Sequence, residues 1–220
     1  MRKHWCATRR GIVSAVAACT VAVAGCARDR TPPPPPATSA SPESAPPTKR
    51  VVGPLSEEDA RALATMNDRL RAYVDLHIKL EHTLPALPKD ATPQQIDKHQ
   101  RAFETLMRAT RTTAKPGDLF TMEARPVIAR LLLAVFGGPD GKQLKASIMD
   151  ENPVDPVALK LTVNGRYPDT VPLATIPPQV LQTLPKLSED LEYRFIGDWL
   201  ILLDVHAHTI ADYMDHALPK

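Results

Sequence analysis

Asp204, His208, Asp212 and His216 recur every four residues near the C-terminal end of the chain. On a helix this spacing forms a polar stripe that drifts by about 40° per step, because four residues overshoot one turn. A histidine nitrogen and a carboxylate oxygen one turn apart can share a metal ion, which makes His208, Asp212 and His216 the candidate ligands. The same spacing also describes a solvated helix face with ordinary His–Asp pairs. The pattern favours this plainer reading, so no metal is assigned. His206 falls off the stripe.

Other chemistry-bearing residues are less suggestive. His77 and His82 flank Glu81, which superficially resembles zinc-peptidase motifs. Residues five apart on a helix point about 140° away from each other, so these two histidines cannot chelate one ion together. His77 reads instead as a histidine at the edge of the core. There is no Gly-x-Ser-x-Gly and no Gly-rich phosphate loop, with only nine glycines in the chain. The acidic residues form no spacing that singles out an acid–base pair. No catalytic residue and no cofactor is therefore assigned.

The cysteines carry more information. All three, Cys6, Cys19 and Cys26, lie in the first 26 residues. They sit in a segment laid out like a secretory signal: Arg2, Lys3, Arg9 and Arg10, then 15 uncharged residues from Gly11 to Gly25. That run is shorter than the ~20 residues a spanning helix needs. It ends in Val23-Ala24-Gly25-Cys26, which resembles the lipobox of bacterial lipoproteins. The resemblance implies cleavage between Gly25 and Cys26 and attachment of a lipid to the Cys26 thiol. Val16-Ala17-Ala18-Cys19 fits the same pattern, but cleavage there leaves an apolar core of only 8 residues. An ordinary signal with a chance cysteine at the cut is the competing reading. Thr8-Arg9-Arg10-Gly11-Ile12-Val13 also resembles a twin-arginine export motif, a pairing that is common by chance in basic leaders.

Charge separates the leader and tether from the rest. Residues 1–53 hold eight of the 27 basic residues and two of the 25 acidic ones. Residues 54–220 keep 19 basic and 23 acidic side chains, a net −4 against +2 for the whole chain. A mildly acidic domain lacks the footprint of a nucleic-acid binder. Residues 27–54 are rich in Pro, Ser, Thr and Ala, with five consecutive prolines from Pro32 to Pro36. Such a segment has little to bury and reads as a tether. At ~3.1 Å per residue it reaches on the order of 60–90 Å if well extended. Three parts follow: a signal peptide over 1–25, lipidated Cys26 with its tether over 26–54, and one globular domain over 55–220.

The domain reads as helices first and strands second. Ser56 caps a helix that runs to about Glu81, with Glu57, Glu58 and Asp59 at its positive end. Thr92-Pro93-Gln94-Gln95 reads as a capping box opening a second helix to about Thr112, and the two should pack as an antiparallel hairpin. Thr121 caps a third helix carrying Val127, Ile128, Leu131, Leu132 and Phe136, and a shorter fourth runs from about Gly141 to Met149. Alternation over 157–163 predicts a strand, with Asn164-Gly165 as its turn. Residues 178–184 suggest one or two helical turns. Leu191 to Phe195 and Trp199 to Leu203, separated by Gly197-Asp198, form the strongest hairpin signal. Tyr193 and Arg194 there point to opposite faces, with Tyr193 inward, and Trp199 is half exposed. Val205, Ile210, Ala211, Met214, Ala217 and Leu218 fit a terminal helix capped by Asp204. The expected class is α+β: a helical hairpin, two shorter helices, then a small antiparallel sheet with a C-terminal hairpin and a terminal helix.

Tyr167-Pro168, Pro172-Leu173, Ile176-Pro177-Pro178, Leu184-Pro185, Leu191-Glu192-Tyr193-Arg194-Phe195 and Leu200-Ile201-Leu202 resemble a recurring block in uncharacterised exported bacterial proteins. The Gly117-Asp118-Leu119-Phe120 turn is similar to them too, and the likeness covers about half of the mature chain. It implies a domain of unknown function and transfers no site residue. The expectation is a lipid-anchored envelope protein, held at the cell membrane or outer membrane through Cys26. Its domain, facing the periplasm or exterior, binds or scaffolds an envelope protein or cell-wall component. The alternatives are an envelope enzyme with a dispersed, metal-assisted site, and a subunit of an envelope complex.

Overall fold

Ser56 accepts a hydrogen bond from the Asp59 N–H at 3.1 Å and so starts α1, Glu57–Glu81. The side chain satisfies one of the orphan donors at the helix start, and three acids in the first turn complement its positive end. The computed structural model describes residues 55–151 and 154–219; the leader, Cys26 and the tether lie outside the described residues. Ala62, Met66, Leu70, Tyr73 and His77 form the buried face of α1, at the spacing of one helical stripe.

The capping box forms as expected: the Thr92 N–H donates to Gln95 Oε1 at 2.7 Å and the Gln95 N–H to Thr92 Oγ1 at 3.3 Å. It opens α2, Pro93–Thr110, which buries Phe103 and Met107. Tyr73 lies against Arg111, His77 against Phe103 and Glu81 near His99. As α1 advances α2 recedes, so the pair is the antiparallel hairpin that the short connection demands. α3, Ala124–Phe136, also packs on α1. Thr121 Oγ1 accepts from the Ala124 N–H at 3.3 Å, so Thr121 organises the preceding turn while Glu123 holds the cap position without a side-chain bond. α4, Gly141–Glu151, lies against α3. A Cβ on Gly141 would stand 1.8 Å from the Phe136 carbonyl oxygen, so only glycine lets α4 start this close to the end of α3. The short α5, Pro178–Thr183, also contacts α3.

Three antiparallel strands follow in the order β1-β2-β3. β1, Leu191–Ile196, and β2, Trp199–Asp204, form the expected hairpin, registered from Leu191 opposite Asp204 to Ile196 opposite Trp199. Gly197 turns at φ +55, and a Cβ there would meet the Val154 carbonyl oxygen at 2.7 Å. β3, Thr209–Met214, pairs with β2 through a bulge between Leu202 and Leu203.

The sheet is buried on both faces. Leu191, Tyr193, Phe195, Leu200, Leu202 and Ala211 join the core formed with the helices. Ile196, Ile201, Leu203 and Ile210 form a second core with Leu161, Tyr167 and Val171, and Trp199 and Tyr213 stack at its rim at 4.8 Å. Tyr193 faces the core and Trp199 is half-buried, as their places in the hairpin suggest.

Two expectations are corrected. The terminal helix over 205–218 does not form. Residues 205–208 turn, with His208 at φ +53, and the chain returns as β3. Thr209, Ile210, Ala211 and Asp212 are four consecutive buried residues, which a helix with one solvated face cannot accommodate. The strand over 157–163 is also absent. The Leu159 N–H bonds to the Asp155 carbonyl and the Lys160 N–H to that of Val157, with Lys160 at φ +51. The pairing shifts to the residues read as a turn. Asn164 N–H donates to Ile210 O, Ile210 N–H to Gly165 O and Tyr167 N–H to His208 O, so 164–167 borders β3.

Candidate functional site

Tyr73 and His77 are one turn apart on the inner face of α1, and both reach the same carboxylate at the end of β2. The Tyr73 hydroxyl donates to Asp204 Oδ2 at 2.7 Å, and His77 Nδ1 lies 2.8 Å from that oxygen. The Ala207 N–H donates to Oδ1 at 2.8 Å. Asp204 and His77 are fully buried. A charge removed from water is costly unless its hydrogen-bonding capacity is filled, and this network fills it. Burial, then the charge of Asp204 and the hydrogen bond to it, push the Tyr73 hydroxyl well above its ordinary range. For His77, burial acts downward, but the Asp204 hydrogen bond and the charges of Asp204, Asp190 and Glu81 outweigh it, and the pKa rises.

The other ring nitrogen of His77 makes the site unusual. Nε2 is buried and has no hydrogen-bond partner. It faces Glu81 Oε2 and Asp190 Oδ1, each at 3.5 Å. His206 Nδ1 lies 2.9 Å from Glu81 Oε1, and the two histidine rings are 5.2 Å apart. Phe103 closes the opposite side, edge-on at 4.8 Å. Exposure rises outward: Asp190 is 20 %, Glu81 28 % and His206 45 % accessible. One ligating atom each from His77, Glu81 and His206 can be chosen within 4.8 Å of one another.

The four residues of the expected stripe are scattered by the strand that replaces the helix. Asp204 belongs to the network above and caps no helix. His208 sits in the β2–β3 turn, edge-on to Tyr167 at 5.7 Å, with burial and then Arg166 holding its pKa down. Asp212 points to the 117–120 turn, where it accepts from the N–H groups of Gly117, Leu119 and Phe120 at 2.8–3.2 Å. His216 is exposed beside Asp198 at 2.8 Å. His208, Asp212 and His216 therefore do not share an ion. His82 takes no part with His77 either; it is the C-cap of α1. The reading of His77 as a core-edge residue missed its junction with Asp190, Asp204 and His206. The spacing of His77 and Glu81 was the only local sign, since four residues place both on one face.

A separate open cleft of about 940 Å³ lies between the first turns of α1, the 117–123 loop and the start of α3. It is lined by both signs of charge, including Arg61, Arg69 and Glu123, and Arg130 pairs with Asp59 beside the 81 % exposed Met122. Among the described residues, no helix is long and apolar enough to cross a membrane. No family model, curated protein or solved structure matches the chain.

Proposed function

We propose that this chain is an exported, lipid-anchored envelope protein that presents residues 55–220 as a binding domain to an envelope protein or cell-wall component. The observation that carries the proposal is Val23-Ala24-Gly25-Cys26 at the end of a charged-then-apolar leader, followed by the proline-rich tether. The absence of any cysteine after Cys26 supports it, because no unpaired thiol is then carried into an oxidising compartment. The mixed-charge cleft with Met122 at its lip supports a binding role, since a ligand there can pair charges and cover an apolar side chain.

Two measurements test this. Wild-type chain is expected in the membrane fraction, with lipid on the mature N-terminus by mass spectrometry, and Cys26→Ala in the soluble fraction. Unchanged membrane association of Cys26→Ala would reject the anchor. A photo-crosslinking residue in place of Met122 should capture a discrete envelope component, and one at exposed Leu173 should not. Equal capture from both positions would reject the cleft as the binding surface.

A further inference from the structure

We propose that His77, Glu81 and His206 bind one zinc ion, with Asp190 as the fourth ligand, joining α1 to the β2–β3 turn. The ion is identified by chemistry. Two imidazoles and two carboxylates suit zinc, and no cysteine lies among the described residues to select a softer ion. Zinc holds nitrogen and oxygen ligands at about 2.0–2.2 Å, so the ligands of a tetrahedral site stand about 3.3–3.6 Å apart. His77 Nε2 already lies 3.5 Å from both Glu81 Oε2 and Asp190 Oδ1. His206 Nδ1 stands 2.9 Å from Glu81 Oε1, and one ligating atom each from His77, Glu81 and His206 can be chosen within 4.8 Å of one another. The two carboxylates balance the charge of the ion.

The independent observation is the orphaned nitrogen. His77 Nε2 is fully buried, lacks a hydrogen-bond partner and points into the cluster. Burying a polar atom without a partner is costly, and a metal bond removes that cost. The shell behind it is also built. Asp204 engages Nδ1 at 2.8 Å and is itself held by Tyr73 and Ala207, which fixes the ring and directs Nε2 outward. Entry is open on the side of His206 and Glu81.

The test uses the full chain purified in detergent, stripped with EDTA, dialysed and titrated with Zn2+ alone. Saturable uptake of about one ion per chain is expected, and His206→Ala and Glu81→Gln should each weaken it at least about tenfold with the far-UV circular dichroism unchanged. Both positions are solvent-accessible, which keeps the fold out of the comparison. Co2+ added to the unaltered chain should give the intense visible absorption of a four-coordinate ion. The proposal is overturned by no saturable Zn2+ uptake, by uptake that both variants retain, or by a Co2+ spectrum that stays that of the hydrated ion. Cys26→Ala should bind zinc as the wild type does, so the result is independent of the lipid anchor.

Discussion

Asp204 and Asp212 are both fully buried and sit on neighbouring strands, yet their surroundings differ in kind. Asp212 accepts from backbone N–H groups: three in the 117–120 turn, and that of Tyr213 at 2.8 Å. Backbone donors have no second function, so the arrangement ends there. It pins the turn before α3 onto the sheet. Asp204 is satisfied largely by side chains, and one of them, His77, has a second nitrogen that faces two more carboxylates and a second histidine. The buried charge therefore reaches a partly exposed cluster. Burying a carboxylate and using it to position another group are different roles, and the identity of the donors distinguishes them.

The largest effect should come from Asp212→Ala. Four N–H groups, those of Gly117, Leu119, Phe120 and Tyr213, lose this acceptor. Each costs about 1–3 kcal/mol when unmade and less where water reaches, so a destabilisation of about 3–5 kcal/mol is expected in urea unfolding. Zinc uptake by the folded fraction should not change. Asp204→Asn should cost less stability, about 1–3 kcal/mol, and should weaken zinc binding about 10–100-fold, because His77 loses the carboxylate that orients it. If Asp204→Asn matches Asp212→Ala in stability and leaves zinc affinity intact, the two aspartates are equivalent and the contrast fails. Tyr73→Phe removes one donor to Asp204 while His77 stays engaged. A loss of about 1 kcal/mol is expected, with zinc affinity lowered by calorimetry but by less than in Asp204→Asn. His216→Ala removes an exposed pair and should alter stability by less than about 0.5 kcal/mol, with no effect on zinc. A drop in uptake on that last change would place the ion away from His77 and break the contrast.

Much of the fold was legible because its signals are local. Ser56, the Thr92/Gln95 box and Gly197-Asp198 each act within four residues, and each does in the structure what its type suggests. The misreadings share a cause. Residues 205–218 carry Asp and His at helical spacing, but 209–212 are buried on both faces of a covered sheet, where periodicity carries no information. The alternation over 157–163 does place Leu161 inward, yet the edge of β3 is taken by 164–167, and alternation cannot say which segment wins a partner. The site was legible only in its His77–Glu81 pair, because Asp190, Asp204 and His206 lie more than a hundred residues further along.

The sequence by itself determined the helix starts, the hairpin, the α+β class and the charge contrast between the first 53 residues and the rest, and it carries the lipobox on which the anchoring proposal rests. These follow from short-range sterics, capping and composition, which act whatever the rest of the chain does. Only the tertiary structure decided what Asp204, His77 and His206 are for. Pairing β1 with β2 places Asp204 opposite Leu191 at the sheet end, and packing α1 on the sheet brings His77 to it. The turn into β3 then places His206 beside Glu81. Contacts made across such distances in sequence depend on which surfaces are buried together, and no short window of residues carries that information.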